Sequence, residues 1–276
     1  MTSFVELNLS LHPDFAEILV AELAEIGFDS FVDTDEGIQA YITEELWDES
    51  ALQELLDRYR ALAQLVASWE KIEKQNWNEA WEKSFSPIQV DHTILVRATF
   101  HEPDPSFPLE IIITPKMSFG TGHHETTSQV MSLQLGIDHQ GKSVLDVGTG
   151  TGILAILAAK LGATRIHGFD IDEWSVENTL ENIDLNQTPF ISVSQGTIAD
   201  QEVFPYDIVL ANINRNILLA EIPQYVSCMA PEGHLFVSGF YTQDAPDIEA
   251  VAIENGLKKI AEKSKNGWAA IVFQRG

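Results

Sequence analysis

Hydrophobic and polar positions change period several times along this chain, and each change marks an element. Near the start "FVELNL" alternates at a period of two, the pattern of a strand with one buried face. "PDFAEILVAELAEIGF" then sets Phe15, Ile18, Leu19, Leu23 and Ile26 on one helical face, and "SFVDT" and "IQAYI" resume the strand period around "DEG". A second helix is expected over residues 49–65, with Leu52, Leu55, Leu56, Tyr59, Leu62 and Ala63 in register, and "VASWEKI" closes the module as a strand. The order βαββαβ predicts a small ferredoxin-like α+β domain over residues 1–73.

"NWNEAWEKSFSPI" puts Trp77 and Trp81 on one helical face before Pro87 ends the pattern, which predicts a linker helix over residues 74–87. Beyond it, "IQVDHTILVRATF" and "LEIIITP" read as strands around the Pro-rich turn "HEPDPSFP". From Lys142 onward strand and helix patterns alternate. "SVLDVG", "RIHGFD", "ISVSQ", "YDIVLAN", "HLFVSGF" and "WAAIVFQ" are the strands, and the intervening helices include "EWSVENTLENIDLN" and one over residues 217–229. This alternation predicts an α/β, Rossmann-like doubly wound domain over residues 88–276, with its ligand beyond the carboxyl ends of the strands where their order reverses.

At 276 residues and 45% hydrophobic, the chain has room for one large α/β domain and the smaller module, each with its own core. The charge narrows the partners. Sixteen Lys and Arg stand against 42 Asp and Glu, a net charge of −26, which argues against a nucleic-acid binder and favours a cationic partner. Residues 1–60 hold fifteen of the carboxylates with only Arg58 and Arg60 to offset them, a net of −13. No apolar run reaches the length of about 18 residues that spans a bilayer, and "MTSFVELNLSLHPDF" lacks the basic head and cleavage site of a signal peptide. A soluble, cytoplasmic protein without membrane contact is expected. The single cysteine, Cys228, allows no intrachain disulfide and no cysteine zinc cluster, and its setting "YVSCMA" points to packing.

Chemistry concentrates in two stretches. "VLDVGTGTGILA" places Gly148, Gly150 and Gly152 between an apolar strand and an apolar helix, so that backbone can approach a ligand without Cβ obstruction. Asp170 closes the next strand, where a carboxylate can bind ribose hydroxyls, and Asp146 precedes the first glycine. The spacing is G-x-G-x-G, with Ile153 where a dinucleotide fingerprint has its third glycine, and it resembles S-adenosylmethionine-dependent methyltransferases. On that resemblance the cofactor's methionine end lies near Gly148 to Gly152, its carboxylate at the helix N-terminus and its ammonium at Asp146. Asn212 ends "YDIVLAN", where a side-chain amide can accept a hydrogen bond from an incoming amine; a strand-to-helix cap is its structural alternative.

The second stretch is "MSFGTGHHETT". Adjacent His123 and His124 point apart in helix or strand and have no His four residues on, so a metal is not expected, and the Gly-Lys-Ser/Thr ending of a phosphate loop is missing. A glycine turn into a helix capped by Thr or Glu explains the threonines of "ETTSQVMSLQL" but not the histidines. Taken together, "FGTGHHETT", "VLDVGTGTGILAI", "GFDID" and "IVLANI" resemble the ribosomal protein L11 methyltransferase family, PrmA, and the linker segment is similar as well.

That resemblance implies a methyltransferase domain that moves methyl groups from S-adenosyl-L-methionine to lysine and N-terminal amines of a basic large-subunit ribosomal protein, free or on the ribosome. A ferredoxin-like domain would recognise that substrate. The loop matches the family at Phe119, Gly120, Thr121, Gly122, His124, Thr126 and Thr127, where it covers the cofactor. The implied cofactor-binding set is Thr121, Gly122, His124, Thr127, Asp146, Gly148, Gly150, Gly152, Asp170, Ile171 and Asn212, with Asn212 also catalytic and no metal. Thr149 and Thr151 replace the family's common Cys and Ser, and Asn214 and Arg215 stand where Leu-Ala is frequent. Other readings are a methyltransferase for another protein or a small amine, an NAD-dependent oxidoreductase, and a non-catalytic ribosome-assembly module. Trp174 fits packing better than contact with adenine, and His167 and His234 fit structural roles.

Overall fold

Alternation at the start of the chain becomes strand β1 (Phe4–Ser10), whose Val5, Leu7 and Leu9 are buried while their neighbours are not. It pairs antiparallel with β3 (Gly37–Thr43) and β4 (Val66–Ile72), and β2 (Ser30–Thr34) adds to β3, giving the order β2-β3-β1-β4. Leu19 and Leu23 of α1 (Ala16–Glu25) and Leu52, Leu55 and Leu56 of α2 (Glu49–Tyr59) complete one core with the strands. This is the βαββαβ arrangement of the sequence pattern. Two side chains depart from it. Ile18 is 46% exposed, because the buried stripe of α1 runs through Leu19 and Leu23. Leu62 is 66% exposed, because α2 stops at Tyr59 and the chain turns through Gln64 at φ +51°.

The structure, a computed structural model, describes residues 4–34, 37–60, 62–72, 86–116, 118–201 and 203–276, and the chain divides into compact units of residues 1–85 and 86–276. The expected linker helix, with Trp77 and Trp81, falls outside the described residues except for Ser86 and Pro87.

The larger unit opens with a three-stranded sheet, β5 (Ile88–Val90), β6 (Ile94–Arg97) and β7 (Leu109–Ile112). "IQVDHTILVRATF" is therefore two strands and not one. Asp91 and His92 both adopt positive φ, +48° and +50°, in a tight hairpin that a reading of apolar runs passes over.

Then follow α3 (Glu125–Gln134), β8 (Ser143–Val147), α4 (Ile153–Lys160), β9 (Arg165–Asp170), α5 (Glu173–Leu185), β10 (Ile191–Gln195) and β11 (Tyr206–Asn212). The chain ends with α6 (Arg215–Ser227), β12 (Met229–Tyr241), α7 (Ala245–Glu254), β13 (Leu257–Lys265) and β14 (Trp268–Arg275).

The seven strands lie in the order β10-β9-β8-β11-β12-β14-β13, parallel from β10 through β12 and antiparallel at β14. Residues of α3, α4 and α5 share a core on one face, and residues of α6 and α7 share another. Burial on both faces explains why β8 and β11 read as continuous apolar runs. Cys228 closes α6 as a buried packing residue. The edge strand β13 was not expected. "LKKIAEKSK" turns mainly Leu257 and Ala261 inward, and its charges hide the strand period.

Candidate active site

Strand order reverses between β8 and β11, so their carboxyl ends and that of β9 diverge around a crevice. The chain leaves β8 through Gly148, Gly150 and Gly152 at φ +65°, +57° and +79° and enters α4. Gly150 has no room for a side chain: a Cβ there would stand 2.3 Å from the Phe119 carbonyl oxygen. Its N–H donates to Asp170 Oδ2 at 3.0 Å, and the N–H of Asp172 donates to Asp170 Oδ1 at 3.1 Å. Asp170 is thereby fixed against the glycine loop with acceptor capacity left over.

The loop before α3 is stitched to the same turn. Thr151 donates from its N–H to the Phe119 carbonyl (3.0 Å) and from Oγ1 to the Gly120 carbonyl (2.6 Å). From the other side, Thr179 Oγ1 and Asn182 Nδ2 donate to the carbonyls of Gly150 and Thr151, both at 2.8 Å. The polar face of α5 thus holds the turn in place. At the end of the loop, His124 itself is the N-cap of α3, its Nδ1 accepting from the Thr126 N–H at 3.3 Å, so the cap is neither Thr nor Glu. Its ring also meets Trp268 edge-on, with centroids 4.6 Å apart.

These elements enclose a cavity of about 570 Å³, within the usual range for small-molecule sites. Of the implied cofactor-binding set, His124, Gly148, Gly150, Asp170, Ile171 and Asn212 line it, as do Phe119 and Thr126 of the matching loop. Thr121, Gly122, Thr127, Asp146 and Gly152 do not. Thr121 Oγ1 lies 3.2 Å from His123 Nδ1, and Gly122 packs over Ile88, Val96 and Ile153. Gly152 sits against Thr179 at the start of α4.

Asp146 takes a position that its place before Gly148 did not foretell. It is 1% exposed, beneath the loop, where its Oδ2 accepts from Thr149 Oγ1 at 2.8 Å. Burial pushes its carboxyl up to about 7, against the lowering effect of the bonds from Thr149 and the Ala155 N–H, and the charge of Asp170 adds to the rise. It braces the loop from inside and lies off the cavity wall.

Thr127, fully buried, serves the site through Asn212, whose Nδ2 donates to Thr127 Oγ1 at 3.2 Å. The Oδ1 of Asn212 is buried without a hydrogen-bond partner among the described residues. A buried carbonyl oxygen in that condition is an acceptor waiting for a donor. The charged lining residues are Asp170, Asp172 and Glu221, with no Lys or Arg among them. Such a wall favours a cationic ligand and offers a pyrophosphate no Lys or Arg.

Trp268, Thr197, Ile198 and Glu221 also line the cavity, and no motif marks them in the sequence. Trp268 arrives because β14 inserts beside β12, which local pattern does not disclose. Trp174 neither lines the cavity nor packs: it is 74% exposed.

The sequence matches the family model for ribosomal protein L11 methyltransferase (PrmA) over residues 19–276. A ribosomal protein L11 methyltransferase of Phocaeicola vulgatus is 43% identical over 278 residues, 98% of each chain. Its counterpart in Porphyromonas gingivalis is 47% identical over 262 residues, 93% of this chain and 90% of the relative. Among solved structures, a ribosomal protein L11 methylase from Lactobacillus delbrueckii subsp. bulgaricus aligns with a TM-score of 0.65 at 28% identity, covering 69% of this chain and 99% of that one.

Proposed function

Because the chain belongs to the ribosomal protein L11 methyltransferase family, we propose that it transfers methyl groups from S-adenosylmethionine to lysine and N-terminal amines of a large-subunit ribosomal protein. The observation that carries this proposal is the partnerless Oδ1 of Asn212, held by Thr127 on the wall of a cavity without cations. An amine N–H satisfies that oxygen, and a sulfonium suits those carboxylates.

When bound, S-adenosylmethionine would supply a methyl group activated by its positively charged sulfonium sulfur, for transfer to an amine nitrogen. The protein aligns and desolvates the reactants. Gly148 to Gly152 give backbone access for the methionine end, and the N-terminus of α4 favours its carboxylate. Asp170 keeps lone pairs free for ribose hydroxyls beyond its two backbone donors. Asn212 Oδ1 would accept a hydrogen bond from the acceptor amine and so hold its nitrogen in one orientation. A lysine amine has to shed its proton first, since its ordinary pKa near 10.4 leaves it charged at neutral pH.

The direct test is intact-mass spectrometry of large-subunit proteins from undermethylated ribosomes, incubated with this protein and S-adenosylmethionine. One protein is expected to gain mass in single-methylene steps, and Asp170→Ala is expected to abolish the gain. No gain on any ribosomal protein, despite cofactor binding, would move the activity to another acceptor or to none.

The domain of residues 1–73 is proposed to dock the substrate, with residues 74–87 as linker and residues 88–276 as the methyltransferase domain. Its exposed Asp29, Asp33, Glu45, Asp48 and Glu49 suit a basic ribosomal protein. Substrate affinity is then expected to weaken steadily as salt is raised, because exposed charges are screened within about 10 Å at 0.1 M. Calorimetric titration with the substrate protein at several salt concentrations checks this, and a constant Kd would remove the docking role.

A further inference from the structure

A third carboxylate enters the cavity from α6. Glu221 lines the wall one helical turn after Ile217, and its Oε2 accepts a 2.6 Å hydrogen bond from the phenol of Tyr225. Tyr225 is fully buried, and burial together with the Glu221 carboxylate drives its pKa far above the ordinary phenol value, so it remains a proton donor. That bond restrains Glu221 in one orientation. Glu221 takes part in no ion pair among the described residues, which leaves its Oε1 as an uncommitted acceptor.

The surroundings indicate what it accepts from. Ile171 after β9, Ile198 after β10 and Ile217 on α6 line the same cavity, and Ile171 and Ile217 remain 69% and 36% exposed. Ile198 shares a core with Leu218, Ile222 and Tyr225, so this stretch of α6 packs toward the β10 side of the crevice. Asn212, by contrast, stands before the start of α6. Glu221 lies seven residues after the N-cap Asn214, about 10 Å along the helix axis. The carboxylate is thus displaced from the amine-binding end, among apolar side chains, of which Ile171 and Ile217 are open to solvent, that would cover a flat ring. An ionised carboxylate only accepts hydrogen bonds, so the ring it selects carries an N–H donor.

We propose that Glu221 is the base-recognition residue of the site, accepting a hydrogen bond from the exocyclic amino group of the cofactor's adenine and thereby rejecting a 6-oxo purine. This inference rests on the S-adenosylmethionine assignment. Tyr225 is the positioning residue that holds the carboxylate toward the ring.

Isothermal titration calorimetry of the full-length protein with S-adenosylhomocysteine and S-inosylhomocysteine tests it without turnover. Wild type is expected to prefer the adenosyl compound roughly 10–100-fold, as a lost hydrogen bond to a charged group implies. Glu221→Gln, whose amide can donate to a 6-oxo group, is expected to bring the two affinities within a few-fold of each other. Tyr225→Phe keeps the carboxylate but not its restraint, and is expected to shrink the preference without abolishing it. An unchanged preference in Glu221→Gln, or no preference in wild type, overturns the inference while leaving the cofactor assignment intact. Should Glu221→Gln fail to fold, an undiminished preference in Tyr225→Phe overturns it equally. Wild type that binds neither compound overturns the cofactor assignment itself.

Discussion

Asn212→Ala is expected to lower the rate of methyl transfer by about 100-fold or more at saturating substrate, the scale on which misplacing a reacting group acts. S-adenosylhomocysteine affinity should stay within a few-fold of wild type, because the proposed roles give the partnerless oxygen to the acceptor amine and the cofactor to Asp170 and the glycine loop. The measurement is single-turnover transfer to the ribosomal substrate beside a binding titration. Equal losses in both would mean that Asn212 is part of the cofactor site only. Thr127 accepts from the Asn212 amide through its hydroxyl and so restrains its orientation.

A stability effect of comparable size is expected from Asp146→Asn. The folded protein raises this carboxyl from 3.8 to about 7, chiefly by burial, so it holds a proton that the unfolded chain releases between about pH 4 and pH 7. Stability therefore falls as pH rises through that window and stays at the lower level above it. The gap corresponds to about 4 kcal/mol. Asparagine keeps an acceptor for Thr149 Oγ1 and for the Ala155 N–H and has no proton to lose. The variant should match wild type near pH 4 and exceed it by about that amount at pH 8, read from urea unfolding at both values. A variant that is less stable at pH 8 would show that the ionised carboxylate is what the loop requires.

Much of this site was legible because parallel strands buried on both faces leave long apolar runs, and the residues that end such runs stand out. Asp170 and Asn212 were found that way, as were the glycines that lead out of β8. Other features depend on direction or distance that local pattern does not encode. All five residues of β8 are buried, so its period could not tell that Asp146 lies beneath the glycine loop and off the cavity wall. Asp91 and His92 turn a hairpin with positive φ and no glycine. Glu221 reaches the cavity from the middle of α6, and Trp268 because the last strand doubles back between β12 and β13. His124 was singled out as a cofactor contact, and the same ring that lines the cavity also caps α3 through its Nδ1.

β13 is an outermost strand of the seven-stranded sheet, and such a strand bares a row of N–H and C=O groups to any other chain that can extend it. In a chain with only sixteen basic residues, Lys258, Lys259, Lys263 and Lys265 all fall on this one strand. A second chain laid along it would have to bring its own backbone past those ammonium groups and strip them of water. The lysines that hide β13 from a reading of hydrophobic period thus also put charge along the edge that a second strand would have to join.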